Sequence, residues 1–470
     1  MESFLSSFKL PAEVFLRHVS QGHIIRIVTH NDADGLASGG IVARAARRAN
    51  VGFRISVEKR LDEQVLKGIS AEKSDLVVIT DFGSGYLNLV SDILSGSDVI
   101  VLDHHIVNGE AKENVIHQNP LIHGIDGAKE IAAAGVCYFF AKAVDLGNLD
   151  SAHLAIVGAL GDQQGKGDKG SLIGINTVIQ RDAEESGQLK RNIGLAFYGF
   201  ETRPLAKAIS YTTTPFIPGL SSREDNCVAF LNHIGIRLKH DGRLRSMTDL
   251  DEEEQRRLYS ALSSHMVSHA CNAETVRNLI GWIYTFPKEP AGTSLRDGKE
   301  YSSLLNACAR MRKPSIGIGI TLGDRRDALR EAEETVDEYR NKIGSYLNWL
   351  RTGDRIRELD GIYVLNAGQN IDENIIGVVS GIILAQGSLK RSKPIVSYAY
   401  SDDGTVKISA RGTDEIILNN IHLGRVMYEA AEGFNGGGGG HDIAAGAFVP
   451  QGLENEFIIK VNEIVTRKSS

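Results

Sequence analysis

Four short runs rich in β-branched residues, HIIRIV (23–28), FRISV (53–57), DLVVIT (75–80) and DVIVL (98–102), alternate with helix-like stretches such as Leu36 to Arg48 and Tyr86 to Leu94. Strands roughly 25 residues apart with helices between them read as βαβ units, and so as a parallel sheet with right-handed crossovers. The expected fold class is therefore α/β, built on a parallel-sheet domain. In such sheets ligands bind outside the carboxyl ends of the strands. That is where the polar residues gather: His30, Asp32 and Asp34 follow the first run, Asp81 the third, and Asp103, His104 and His105 the fourth. A later apolar segment, HLAIVGALGD (153–162), places Asp162 at the end of a helix-like run, with glycines that allow close approach.

Taken singly, each segment has a purely structural explanation. HNDADG (30–35) is an Asx-capped helix start, DHH (103–105) is a pair of partly buried histidines, and Asp81 is a helix N-cap. Their joint arrival at successive strand ends is far harder to explain structurally. His30, Asp32, Asp34, Asp81, His104 and Asp162 offer hard oxygens and imidazole nitrogens without thiolates, a mix that suits Mn²⁺ or Mg²⁺ and disfavours structural zinc. So many carboxylates at one sheet edge repel one another unless cations neutralise them. Two divalent ions about 3.5–4 Å apart, bridged by one carboxylate, are the usual solution, and such a pair serves phosphoester cleavage.

Composition excludes several classes. Lys plus Arg number 52 against 59 Asp plus Glu, a net charge of -7, which argues against a polycation that coats nucleic acid non-specifically. The four cysteines, Cys137, Cys227, Cys271 and Cys308, lie far apart with no C-x-x-C pair, so a reducing, cytoplasmic setting is expected. The N-terminal residues lack the features of a signal peptide, and no stretch approaches the ~18 apolar residues of a membrane span. Glycine stands at 50 of 470 residues, above the usual share of about 7%.

Beyond the first sheet, TTTPFIPGLSS is turn-rich and DLDEEEQRRLYSALSSHM reads as a charged amphipathic helix, which suggests a mostly helical insertion. Residues 324–351 have helix formers throughout and read as a long exposed connecting helix. GIYVLNAG, IIGVVSGIILAQG and KPIVSYAYSDDGTVKISARG return to strand and helix signals, with a hairpin at Asp403-Gly404. The expected domains are 1–210 (with 291–320 returning to it), an insertion at 211–290, a connecting helix at 321–353, and a smaller α/β domain at 354–470. The run GGGGGHDIAAGA (436–447) holds five glycines, whose backbone N–H groups can converge on an anion or admit a sugar-phosphate chain.

HNDADG, the strand-terminal Asp81, DHH and GALGD (158–162) resemble the four motifs of the DHH phosphoesterase superfamily. ISARGT (408–413) and the glycine run resemble its DHH-associated C-terminal domain. YTTTPFIPGL (211–220) and SSLLNACARM (302–311) resemble segments of archaeal-type RecJ nucleases, including the GINS-associated nuclease. The resemblance implies that His30, Asp32 and Asp81 hold one manganese, and that Asp34, Asp81, His104 and Asp162 hold the other, with Asp81 bridging. It implies that His105 contacts the scissile phosphate, that Asp103 orients a liganding histidine, and that Ser409, Arg411, Gly438, Gly439, Gly440 and His441 bind substrate. Asp442 stands where many relatives have Glu, and the glycine run is longer than usual; both bear on substrate fit.

The function expected from this resemblance is a two-metal, Mn²⁺-dependent exonuclease, with Mg²⁺ as the alternative ion. It acts, processively or distributively, on single-stranded DNA or RNA and releases mononucleotides in replication or repair, the C-terminal domain clamping the strand across a cleft. Two alternatives stand beside it: a phosphodiesterase of oligonucleotides or cyclic dinucleotides, and a non-catalytic replisome scaffold that binds GINS. A partner such as GINS or another replication or repair protein would bind the insertion, which otherwise walls the cleft.

Overall fold

The computed structural model describes residues 2–434 and 437–469, which form two compact units: residues 1–215 with 223–337, and residues 216–222 with 338–470. The first unit is organised by a parallel sheet of β1 (Ile25–His30), β2 (Phe53–Glu58), β3 (Leu76–Thr80), β4 (Asp98–Leu102) and β5 (Val115–Gln118), in the order β2-β1-β3-β4-β5. Strands β1, β3 and β4 are buried almost throughout, which is why they read as continuous apolar runs. β5 is short and half polar, so no periodicity announces it. The chain leaves β1 in one direction to form β2 and returns on the other side of β1 to form β3. The ends of β1 and β3 therefore flank the switch point where open α/β sheets bind ligands.

Three helices bring further residues to that edge: α1 (Ala33–Arg48), α2 (Ala133–Val144) and α3 (Ala152–Gly161), which pack on one another. α3 is apolar on all sides and almost wholly buried. Asp32 caps α1, its Oδ1 accepting the Gly35 amide at 2.9 Å. Helix α4 (Gly298–Arg310) returns to the motif loop: Ala33 N–H donates to Asn306 Oδ1 at 3.2 Å, and Asn31 Nδ2 donates to the Ala309 carbonyl at 3.2 Å.

Within residues 211–290 lie helices Glu224–His233, Glu252–Ser268 and Ala273–Arg277, and strand Ile280–Thr285 pairs antiparallel with Lys190–Leu195. The helix Asp327–Arg351 departs from the exposed reading. Leu329, Ala332, Val336, Tyr339 and Leu347 are buried along one stripe, since its 3–4 spacing of apolar residues makes it amphipathic. All four cysteines are free thiols. No helix among the described residues is long and apolar enough to cross a membrane.

The second unit is a six-stranded sheet of β6 (Ile356–Glu358), β7 (Tyr363–Gly368), β8 (Ile395–Tyr400), β9 (Thr405–Arg411), β10 (Gly437–Gly440) and β11 (Ala444–Pro450), in the order β6-β7-β8-β9-β11-β10. The hairpin β8-β9 turns at Gly404, whose φ is 79°. On one face Val406, Ile408 and Ala410 join Ala445, Ala447 and Val449 in an apolar core with α6 (Leu423–Ala431) and α7 (Glu454–Ser469). On the other face, helix α5 (Ile376–Ala385) covers part of the sheet, with Ser380 Oγ donating to Ser397 Oγ at 2.7 Å.

The glycine run differs from the expected anion-binding loop. Gly436 lies outside the described residues, and Gly437–Gly440 is an extended strand paired with Ala445–Phe448. The reason is steric. A Cβ on Gly438 would lie 2.3 Å from the Met427 carbonyl oxygen, and one on Gly424 would lie 2.1 Å from that of Gly440. Only glycine lets α6 lie this close against the strand.

Candidate metal centre

His30, Asp32, Asp34, Asp81, Asp103, His104, His105 and Asp162 are brought together at the carboxyl edge of the first sheet. His30 Nδ1 lies 3.0 Å from Asp32 Oδ2 and 3.3 Å from Asp81 Oδ2. Asp81 Oδ1 lies 3.4 Å from His104 Nε2, which is also 3.3 Å from Asp162 Oδ2 and 3.8 Å from Asp34 Oδ2. His30, Asp32 and Asp81 form one set whose donor atoms all lie within 4.8 Å of one another, and Asp34, His104 and Asp162 form another. The two oxygens of Asp81 thus face different sets.

Asp81 is not a helix cap. It sits in the left-handed region at φ 66°, 2% exposed, and neither carboxylate oxygen has a hydrogen-bond partner among the described residues. A buried carboxylate without donors is strongly disfavoured unless something cationic compensates it. Strain and an orphaned acid at one residue fit a cation-holding group. The donors here are carboxylate oxygens and imidazole nitrogens, which suit a divalent cation of the Mn²⁺ or Mg²⁺ type.

The surrounding hydrogen bonds aim the donors. His104 Nδ1–H donates to the Gly127 carbonyl at 2.6 Å, which presents Nε2 to the carboxylates. Asp34 accepts the Ala133 and Ala134 amides at 2.8 and 2.9 Å, at the positive first turn of α2. Gly158 makes room for it, since a Cβ there would lie 2.2 Å from Asp34 Oδ1. Asp103 Oδ1 accepts His105 Nδ1–H at 2.9 Å, while the His104 ring is oriented by the Gly127 carbonyl. The peptide turn after β4 explains this, because the same Oδ1 also accepts the His104 and His105 amides at 2.7 and 3.2 Å.

The electrostatics are those of a buried acid cluster interleaved with imidazoles. Burial, then the charges of Asp81 and Asp162, push Asp34 well above the usual carboxylate range. Asp162 is pushed up to about 7, chiefly by burial, with His104 opposing and Asp81 and Asp32 adding to it. Burial alone would lower His30 and His104, yet the neighbouring carboxylates hold both well above the ordinary imidazole value. Asp103 goes the other way: against the pull of burial, His105 holds it far below the carboxylate range.

Residues that sequence reasoning missed stand behind this centre. Ser84 N–H donates to Asp103 Oδ2 at 2.9 Å, and Ser84 Oγ lies 2.8 Å from His117 Nε2. Asn119 Nδ2 donates to Ser84 Oγ at 2.8 Å and to the His105 carbonyl at 2.9 Å, tying β3, β4 and β5 together. Their signals in the sequence are slight: an Asn-Pro step at 119–120 after a weak strand, and a serine between two glycines.

Ser409, Arg411, Gly438, Gly439, Gly440 and His441 belong to the second unit. Ser409 and Arg411 share the sheet face that carries α5. Arg411 is seated over Gly377, where a Cβ would lie 2.5 Å from Nη2 and 3.0 Å from Ser409 Oγ, and its Nη1 donates to the Ala410 carbonyl at 2.8 Å. The His441 amide donates to the Ala444 carbonyl at 2.8 Å, closing the turn from β10 to β11.

Comparison with known proteins places this arrangement. Residues 24–159 match the DHH family N-terminal domain, residues 197–280 the DHH-CID domain and residues 361–467 the DHHA1 domain. The uncharacterized protein MJ0831 of Methanocaldococcus jannaschii is 32% identical over 447 residues, covering 94% of this chain and 93% of that protein. RecJ of Thermus thermophilus, solved in complex with Mn²⁺, shares the fold at a TM-score of 0.58 and 18% identity, covering 98% of this chain; the chain spans 55% of that RecJ. CDC45 from Entamoeba histolytica superposes at a TM-score of 0.66 and 10% identity, over 98% of this chain and 99% of that one. Three domain matches in order, together with a relative aligned over nearly its whole length, establish that the chain belongs to the DHH family.

Proposed function

We propose that this protein is a two-metal, Mn²⁺-dependent exonuclease that removes mononucleotides from single-stranded DNA or RNA in replication or repair. The observation that carries the proposal is Asp81, whose two buried, unpartnered oxygens face His30 with Asp32 on one side and His104 on the other. On this reading His30, Asp32 and Asp81 hold one ion, and Asp34, Asp81, His104 and Asp162 the other. Such ions supply Lewis-acid activation of water and of the phosphoryl group. His105, whose Nδ1–H donates to Asp103 and which that carboxylate raises above the ordinary imidazole value against burial and the charge of His104, offers Nε2–H to the scissile phosphate in its imidazolium form. Ser409, Arg411, His441 and the glycine strand hold the rest of the nucleotide chain; Arg411 suits bidentate contact with phosphate.

The test is digestion of 5′- and 3′-labelled DNA and RNA strands with Mn²⁺, with Mg²⁺ and with chelator. Metal-dependent release of mononucleotides from single strands is expected, and its absence overturns the reading. A dinucleotide tested beside the long strand separates this activity from a small-substrate phosphodiesterase. A second reading, a replisome scaffold that binds GINS, is supported by the likeness to CDC45 over nearly the whole of both chains. The full set of candidate ligands favours the enzyme; GINS binding in a pull-down without hydrolysis in any metal would favour the scaffold.

A further inference from the structure

Helix α3 ends in a turn that delivers a buried amide behind the metal centre. Gln163 is left-handed at φ 56° and its N–H donates to the Leu160 carbonyl at 3.2 Å, while the Gln164 N–H reaches back to the Ala159 carbonyl at 3.0 Å. In a helix end of this kind the second residue past the cap ordinarily packs an apolar side chain against the last turn. Here that residue is Gln164, fully buried and two positions after Asp162. A buried amide is costly unless it is hydrogen-bonded, and this one is held at both ends. Gln164 Nε2 donates to the Gly127 carbonyl at 2.9 Å, and Gln164 Oε1 accepts Asn176 Nδ2–H at 2.8 Å. Asn176, the first residue of the helix Asn176–Glu185, is 1% exposed. The Gly127 carbonyl is the same one that accepts His104 Nδ1–H, and a Cβ on Gly127 would lie 2.2 Å from the His104 carbonyl oxygen.

We infer that Gln164 and Asn176 are positioning residues for His104, and through it for the donor set of Asp34, His104 and Asp162. The inference rests on the two-metal reading and names what holds one of its ligands in place. A carbonyl only accepts, so both side chains that meet Gly127 must donate: His104 carries a proton on Nδ1, and Gln164 presents its NH₂. Gln164 Oε1 is thereby turned to Asn176, which must donate in its turn, and the polarity of the relay is fixed from Asn176 to the imidazole. In the neutral ring Nε2 then keeps the lone pair that a cation needs. The relay also joins two members of the donor set. Gln164 pins the Gly127 loop through its side chain and follows Asp162 along the main chain, so a shift at Gln164 reaches both His104 and Asp162.

The test is calorimetric titration of the metal-free full chain with Mn²⁺, beside melting curves recorded without metal. Gln164→Met keeps the side-chain length and removes the amide. It should weaken one of the two Mn²⁺ sites about tenfold, and it should lower the melting temperature because Asn176 Nδ2 loses its buried acceptor. Adding Asn176→Leu removes the other partner as well, and replacing both members of a buried pair by apolar groups recovers much of the stability. A positioning role predicts that this double variant regains the melting temperature and not the Mn²⁺ affinity. In turnover the loss should fall on kcat, with KM for the strand unchanged. Mn²⁺ affinity that is unchanged in Gln164→Met, or that returns with the melting temperature in the double variant, overturns the inference and leaves the two-metal reading standing. Where either variant fails to fold, or the melting temperature does not return, Asn176→Asp decides. It exchanges one group at a helix start, where a carboxylate is tolerated, and turns the Gln164 amide over so that its oxygen faces the Gly127 carbonyl. The same Mn²⁺ loss is expected of it, and unchanged affinity overturns the inference. Failure of the wild-type chain to bind Mn²⁺ overturns both the inference and the reading beneath it.

Discussion

At the strand ends of the first unit, Asp34, Asp81, Asp103 and His104 are at most 2% exposed and crowd several negative charges into one buried place. On the open sheet face of the second unit, Lys407 and Arg411 stand partly exposed over a floor of glycine and serine. One site gathers acids, and the other presents bases. Glycines serve both in opposite ways: Gly158 makes room for an acid, Gly377 and Gly446 for bases. A whole-chain charge of -7 averages over this division, which is why it is a poor guide to either site.

The contrast can be broken most directly at Asp81. Asp81→Ala is expected to lower metal-dependent hydrolysis by more than about 10³-fold while far-ultraviolet circular dichroism stays unchanged. In the wild type Mn²⁺ should raise the melting temperature, as any ligand of the native state does, and the variant should lose most of that rise. Hydrolysis retained in Asp81→Ala would remove the metal centre from the description of the first unit.

Gly158→Ala asks whether room for an acid is what the first unit requires of its glycines. The added Cβ must displace Asp34, so Mn²⁺ affinity in a calorimetric titration should fall about 10- to 100-fold, with a stability loss of about 1–3 kcal/mol from overpacking. Strand binding in EDTA should be untouched, because that belongs to the other unit.

Asn119→Ala tests the hydrogen bonds behind His105. A drop of about tenfold in kcat with little change in KM is expected, since Asn119 acts through Ser84 and His105 and not on the strand itself. A change confined to KM would assign it to binding instead.

A last prediction concerns acid stability. His153, buried in the first unit and donating from Nδ1 to Gln188 at 3.0 Å, is lowered to about 4, first by burial and then by the charge of Arg44. Its folded value lies below the ordinary 6.5, so between pH 6.5 and about 4 the unfolded chain takes up the proton first. Stability is therefore lost as pH falls through that window. The loss attributable to His153 is of order 2–3 kcal/mol by pH 4, and His153→Gln should flatten that part of a melting-temperature profile. An unaltered profile would mean that other groups carry the acid sensitivity.

Much of the first unit is legible in the sequence. β1, β3 and β4 carry unbroken β-branched runs because both faces of their sheet are covered. In the second unit Asp403-Gly404 marks a hairpin because a tight turn needs a residue at ease with positive φ. β5 is not legible, since Val115–Gln118 offers too few alternations and is held by its pairing with β4. The motif places Asp103 at the strand end but does not say which histidine ring it meets, because that depends on peptide turns that no spacing records. The glycine run reads as a loop, and only its packing under α6 makes it a strand.

The sequence by itself determined which residues leave the strands at their carboxyl ends and what donors they offer, since strand periodicity and residue chemistry are local. Only the tertiary structure decided that the two oxygens of Asp81 face different donor sets, that Gly127 lends a carbonyl to His104, and that Gly446 makes room for Lys407. Each of these joins residues well separated along the chain. Their proximity comes from strand order, register and helix packing, which are set by burial of the whole core rather than by any one stretch of chain.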